Sequence, residues 1–174
     1  TISGLTKAAD AASLELTSVA NSGASLFSDG SSQGKGALSS GTLTLTVHTA
    51  QTVLAETQYV FSFTITNPSA EQNATTVTIA ASGTAVFPTA RGAMTTDTGD
   101  RYGVTDGGKP IKVIVPSFSV KAIGQSTPLA GATVTISVTL TANVDFPTGS
   151  TVTIAGLTGT QTADSGSLAV NTSG

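Results

Sequence analysis

The residues best suited to chemistry lie in one stretch, RGAMTTDTGDRYGVTDGGKPIK, at positions 91 to 112. Asp97, Asp100 and Asp106, interleaved with Gly and Thr, supply the carboxylate and carbonyl oxygens that Ca²⁺ takes, about six to eight at a time. Their spacing matches neither the EF-hand loop nor the glycine-rich Ca²⁺ nonapeptide. Arg91, Arg101, Lys109 and Lys112 lie among them and neutralise the stretch locally. A solvated loop with Asp–Arg pairs is the favoured reading; no cofactor is expected, and calcium is the one metal these residues suit.

Five of the seven basic residues fall between Arg91 and Lys121, which makes that segment +2 and leaves the rest of the chain at -5. Such an asymmetry can steer one molecule against another. Arg91, Arg101, Tyr102 and Lys109 are the residues expected at an interface or binding loop.

His48 is the only histidine, and alternation places it outward among threonines. A Ser-His-Asp arrangement needs that residue beside a nucleophile and a buried carboxylate, so a solvated strand-face His is favoured. With one His and no Cys, a zinc site of the usual nitrogen and sulfur ligands is excluded. Asp10, Glu15, Asp29, Glu56, Glu71, Asp145 and Asp164 are each isolated, so a glycosidase pair would have to meet in space. No catalytic residue is assigned, and no enzymatic activity is expected.

Two sequons, NAT at 73 to 75 and NTS at 171 to 173, make Asn73 and Asn171 candidate glycosylation sites, while Pro68 disqualifies the NPS at 67. Asn73, in a turn between two strands, is the better acceptor.

The elements that would position these residues are read from composition and periodicity. The chain has 32 Thr and 21 Ser, 10% charged residues, no Cys and no Trp. β-Branched Thr suits the solvent face of a pleated sheet. A net charge of -3 and a pI near 4.8 give no basis for a phosphate-binding groove, so nucleic acid is a poor partner. No run of apolar residues is long enough to span a membrane. No leader precedes Thr1, so a secretory signal is expected outside this sequence or already removed. Low charge with abundant Thr and Ser points to an extracellular or cell-surface location.

Apolar and polar residues alternate in GTLTLTVHT (41 to 49), YVFSFTIT (59 to 66) and TVTISVTLT (133 to 141), each predicted as a strand with one buried face. Shorter candidates are 13 to 17, 75 to 80, 84 to 87, 111 to 115, 150 to 155 and 167 to 170. Turn clusters such as NPSAEQN and FPTGS separate them. Residues 18 to 40 and 91 to 110 read as long loops. The predicted class is all-β, a β-sandwich.

The chain also repeats itself. A slip of 75 residues aligns 60 to 83 with 135 to 158, with Thr76 to Ala80 matching Thr151 to Ala155 unchanged. A slip of 152 lays TISGLT (1 to 6) on TIAGLT (153 to 158), and two inserted residues then bring Asp10 onto Asp164 and Leu14 onto Leu168. Tandem modules of about 75 residues follow: module 1 at 1 to 80, module 2 at 81 to 155, and 156 to 174 as the opening strand of a further module or an exchanged strand.

The TISGLT signature with its Asp and Leu, the VFSFTITNPSAEQNATTVTI strand pair and the MTTDTGDRYGVTDG loop resemble repeat units of very large, secreted, tandemly repeated proteins of unicellular algae and related protists. The resemblance covers nearly the whole chain. It implies tandem immunoglobulin-like β-sandwich modules in an extracellular fibre or cell-surface component, flagellar hairs among them, and carries over no catalytic residues.

The expected function is therefore structural: a repeat of an extracellular filament or coat, joined head to tail to copies of itself, with a boundary strand donated to the next unit. The alternative is an adhesin-like sandwich that binds glycans or a protein through loops 18 to 40 and 91 to 110.

Overall fold

Alternating Thr and aliphatic residues favour a pleated surface with one apolar face. The computed structural model, which describes residues 1–83 and 90–171, is all-β: those residues contain no α-helix and one short 3-10 turn, Gly23–Leu26. The strands are β1 (Ile2–Ser3), β2 (Ala11–Ala20), β3 (Phe27–Ser28), β4 (Lys35–Ser39), β5 (Thr42–Thr44), β6 (Thr46–Val47), β7 (Val60–Phe63), β8 (Thr78–Ile79), β9 (Gly92–Ala93), β10 (Phe118–Gln125) and β11 (Ile136–Ala142). Seven form a curled antiparallel sheet in the order β7-β2-β4-β5-β1-β8-β9, while β3 pairs with β6 and β10 with β11.

The centre of the sheet follows from a tight hairpin. Ser40 and Gly41, with φ of 48° and 71°, join β4 to β5. Positive φ at both central residues is the type I′ geometry whose twist matches the flanking strands. That turn sets Leu38 opposite Leu43, and both are fully buried. Around them Ile2, Leu5, Val77 and Ile111 complete the core, with Phe61, Phe63 and Ile65 packed at its margin. The sheet continues past residue 80, because β9 pairs with β8.

β2 is long enough to serve two neighbours: its first half pairs with β4, and Leu16 to Ala20 pair with β7. Glu15 and Lys35 lie opposite each other across β2 and β4, and their ion pair closes at 2.9 Å.

Residues 18–40, expected as a long loop, instead contain the 3-10 turn, β3 and β4. Ser and Gly there read as turn residues, but Gly36 serves close packing: a Cβ would lie 2.7 Å from a Leu45 methyl and 2.8 Å from one of Leu43. What remains of the loop is organised by Asp29, whose carboxylate accepts hydrogen bonds from Ser13 Oγ (2.6 Å), Ser31 N (3.0 Å) and Ser32 N (2.8 Å). The Ser13 bond, then the Ser32 and Ser31 amides, hold this carboxyl well below the usual carboxylate range. A depressed folded value means that the unfolded chain takes up the proton first as pH falls. The bonds stabilise the fold fully above about pH 5 and are lost progressively below about pH 4. Asp29→Asn is expected to lower the thermal midpoint at neutral pH and to flatten its fall between pH 5 and 2.5; an unchanged acid profile would show that Asp29 contributes nothing.

The other strand expectations divide. Within 59–66, Phe61, Phe63 and Ile65 turn inward as the alternation requires. In 41–49 the strand breaks at Leu45, and Val47 is exposed because β6 leaves the main sheet to pair with β3. The stretch 111–115 makes a single bridge, Gln72 to Val113, although Ile111 and Val113 are buried. Of the stretch 133–141, residues 136–141 lie in β11 while 133–135 carry no strand, and both faces of β11 are exposed, because its one partner strand among the described residues is β10. Segments 150–155 and 167–170 carry no strand and are exposed throughout. The candidate at 84–87 lies outside the described residues.

Candidate functional site

The polar stretch 91–112 is a loop built from its own side chains. Asp97 accepts a 2.7 Å bond from Gly99 N and another of 2.7 Å from Arg101 Nη2. Gly108 lies against the same carboxylate, where a Cβ would come within 2.6 Å of Asp97 Oδ2. Asp100 accepts the Asp106 amide at 2.9 Å, and Asp106 accepts Lys109 Nζ at 2.8 Å. The hydrogen bond from Lys109 is the main cause of a lowered Asp106 carboxyl pKa. Lys112 Nζ donates to the Thr105 carbonyl.

Each of the three candidate calcium carboxylates is therefore engaged with a local amide or cation. Among the described residues no three His, Asp or Glu side chains lie close enough to share a metal ion. Arg101 and Lys109, expected at an interface, spend their charges inside the loop; Arg91 donates to Thr78 Oγ1 at 3.2 Å. Ion pairs this exposed contribute little stability, and their service is to fix the loop's shape.

Tyr102 stands at the tip. Arg101 and Val104 exchange backbone hydrogen bonds of 3.2 and 2.9 Å, with Tyr102 and Gly103 between them at φ of 51° and 70°. The turn leaves Tyr102 68% exposed. Beside it the Asp145 amide donates to the Tyr102 carbonyl at 2.8 Å, and a shallow cleft of about 430 Å³ opens between this turn, Asn67, Lys112 and Pro116. The cleft lining includes one carboxylate, Asp145, and no histidine. His48 is half-buried at the end of β6, where its backbone amide bonds the Leu26 carbonyl.

Asn73 is exposed, just after the Gln72–Val113 bridge. Expressed through a secretory pathway, the chain is expected to carry glycan at Asn73; the intact mass should fall on glycosidase treatment, and Asn73→Gln should remove that difference. Asn171 is exposed too, while Thr172 and Ser173 of its sequon lie outside the described residues.

No family model, no curated protein and no solved structure matches this chain. The most informative comparison is the chain with itself. Phe61 and Phe63 of β7 pack against the core, whereas their repeat equivalents in β11, Ile136 and Val138, face solvent. Beyond Val113 none of the described residues is buried, and Ile123, Ile136, Val138 and Leu140 of the β10–β11 hairpin stand exposed.

Sequence reasoning missed Gln72. Its amide nitrogen donates to the Ile111 carbonyl at 2.9 Å and its backbone pairs with Val113 in both directions, which ties the polar loop's end to the core. No sequence signal marks it. Asp29 was findable, since it precedes Gly and Ser positions where a short acidic side chain can bind backbone amides.

Proposed function

We infer that this chain is a non-enzymatic structural repeat of an extracellular filament or cell-surface coat, joined head to tail with copies of itself. The observation that carries this reading is the absence of any buried described residue after Val113, in a region whose sequence repeats one that is packed. A two-stranded hairpin alone in water is marginal, so β10 and β11 gain their stability from a neighbour laid over them. Their exposed aliphatic side chains supply the apolar area such a contact needs. Tandem immunoglobulin-like modules meet that need by stacking, each covering the next. Sedimentation velocity and electron microscopy over a concentration series test it. Monomer at low concentration giving way to linear oligomers as concentration rises is the expected result, and a strictly monomeric chain at every concentration overturns the reading.

The exposed Tyr102 at the rim of a cleft favours a second reading, recognition of a glycan or a protein by this turn. Tyr102→Ala would then abolish binding on a glycan array without changing assembly, and an array blank for the unaltered chain removes the glycan form of this reading.

A further inference from the structure

The hexapeptide at 1–6 occupies a specific slot. β1 lies between β5 and β8, with Ile2 opposite Leu43 on one side and Ile79 on the other. Ile2 and Leu5 are 7% and 4% exposed. Beyond the ladder, Leu5 N donates to Gly41 O at 2.9 Å and Ala80 N to Thr1 O at 3.0 Å. Gly4 has φ of +104°, and a Cβ there would lie 2.4 Å from the Thr76 carbonyl oxygen. The slot therefore demands an aliphatic residue, a left-handed glycine two positions on, and a second aliphatic residue directly after it.

Residues 153–158 meet every one of these demands and fill no slot. Ile154 and Leu157 are 46% and 55% exposed. Gly156 has φ of +92°, the same backbone region as Gly4, yet no heavy atom from outside its immediate neighbours lies within 4 Å of where its Cβ would be. The bend that the slot requires is already present where nothing requires it. The one difference, Ala155 in place of Ser3, forfeits a single 3.2 Å bond from Thr42 Oγ1.

We propose that residues 153–158 are a strand donor for a second copy of this chain, entering between its β5 and β8 in the place that residues 1–6 hold in cis. This rests on the head-to-tail reading above and identifies its joint. Donor and slot lie on different parts of the molecule, so the contact is heterologous, of the kind that propagates into a filament unless its rotation closes a ring. Exchange replaces one strand with its near-copy, so the ladder is conserved and the choice is set by concentration. The cis strand is present at an effective concentration of about millimolar, which keeps dilute chains closed and lets crowded ones exchange.

Gly4→Val tests this, because the added side chain meets the Thr76 carbonyl and weakens the cis strand selectively. The variant is expected to associate at least about tenfold more tightly than the unaltered chain in sedimentation velocity, as the effective-concentration advantage of the cis strand is lost. Adding Gly156→Val should remove that gain and leave association no tighter than that of Gly156→Val alone, which should assemble more weakly than the unaltered chain while keeping its thermal midpoint. Should Gly4→Val fail to fold, refolding it with a synthetic peptide of residues 151–160 is expected to restore a cooperative transition that the Gly156→Val peptide does not. Association by the double variant equal to that of Gly4→Val overturns the proposal, as does a Gly4→Val chain that neither associates nor responds to the peptide. If unaltered chains assemble and Gly156→Val chains assemble equally well, the filament reading stands and strand donation falls. If the peptide fills the slot but no chain assembles, the donor is right and the filament reading falls.

Discussion

Leu43→Ala is expected to lower the unfolding free energy by about 2–5 kcal/mol, measured by urea denaturation. Leu43 has no exposed surface, lies opposite Leu38 across the β4–β5 hairpin, and pairs with Ile2 on its other side. Removing its three terminal carbons leaves a cavity bounded by strands that three separate ladders hold in place, so collapse onto the void is limited. Against a typical domain stability of about 5–15 kcal/mol, that loss brings the chain close to unfolding at ambient temperature. Val53→Ala, at an exposed position in a loop, should stay within about 0.5 kcal/mol of the unaltered chain. A Leu43→Ala chain as stable as Val53→Ala would mean that the sheet centre is not where the stability resides.

Val138→Thr should do the opposite. Val138 is exposed on β11 and pairs with Ile123, so the isosteric hydroxyl buries nothing polar in a single molecule. Unfolding of the monomer is expected to change by less than about 0.5 kcal/mol. Under a neighbouring copy the same hydroxyl would be desolvated without a partner, and association should weaken at least about tenfold, or ~1.4 kcal/mol. Its repeat equivalent supplies the contrast: Phe63 is packed at the core margin, and Phe63→Ala is expected to cost about 1.5–3 kcal/mol in the monomer. Were Val138→Thr to destabilise the monomer as much as Phe63→Ala, β11 would have to be packed within its own chain. Unchanged association would place the contact elsewhere.

The same pair shows what was legible in the sequence. Phe61, Phe63 and Ile65 alternate with Ser and Thr, and so do Ile136, Val138 and Leu140. Periodicity correctly assigned a strand to both and named the face that would be apolar. It could not tell that something lies over the first and nothing over the second, because coverage depends on which other strands reach that face. β4 was invisible for a different reason. In KGALS the residue that packs most closely is Gly36, whose contribution is the absence of a side chain against Leu43 and Leu45. A residue read as a turn marker was a packing requirement. In the polar loop, residue type indicated oxygen ligands at Asp97, Asp100 and Asp106, while the outcome turned on which amides and cations came within reach of each carboxylate. The echo between residues 1–6 and 153–158 was fully legible as a repeat; that one copy is enclosed and the other bare is a property of the fold, set by which strands flank each copy.

The position of β1 also bears on how the chain matures. Its partner β8 lies more than seventy residues downstream, yet the hexapeptide belongs in the middle of the finished sheet. At a synthesis rate of about 5–20 residues per second, some 4–15 s pass on the ribosome between the appearance of Ile2 and that of Ile79. Throughout that interval the hexapeptide can lie along β5 on one side only, held by half of its eventual hydrogen bonds. The slot is complete only once β8 has appeared, and residues 1–6, made first, are in place to fill it before residues 153–158 have been synthesised.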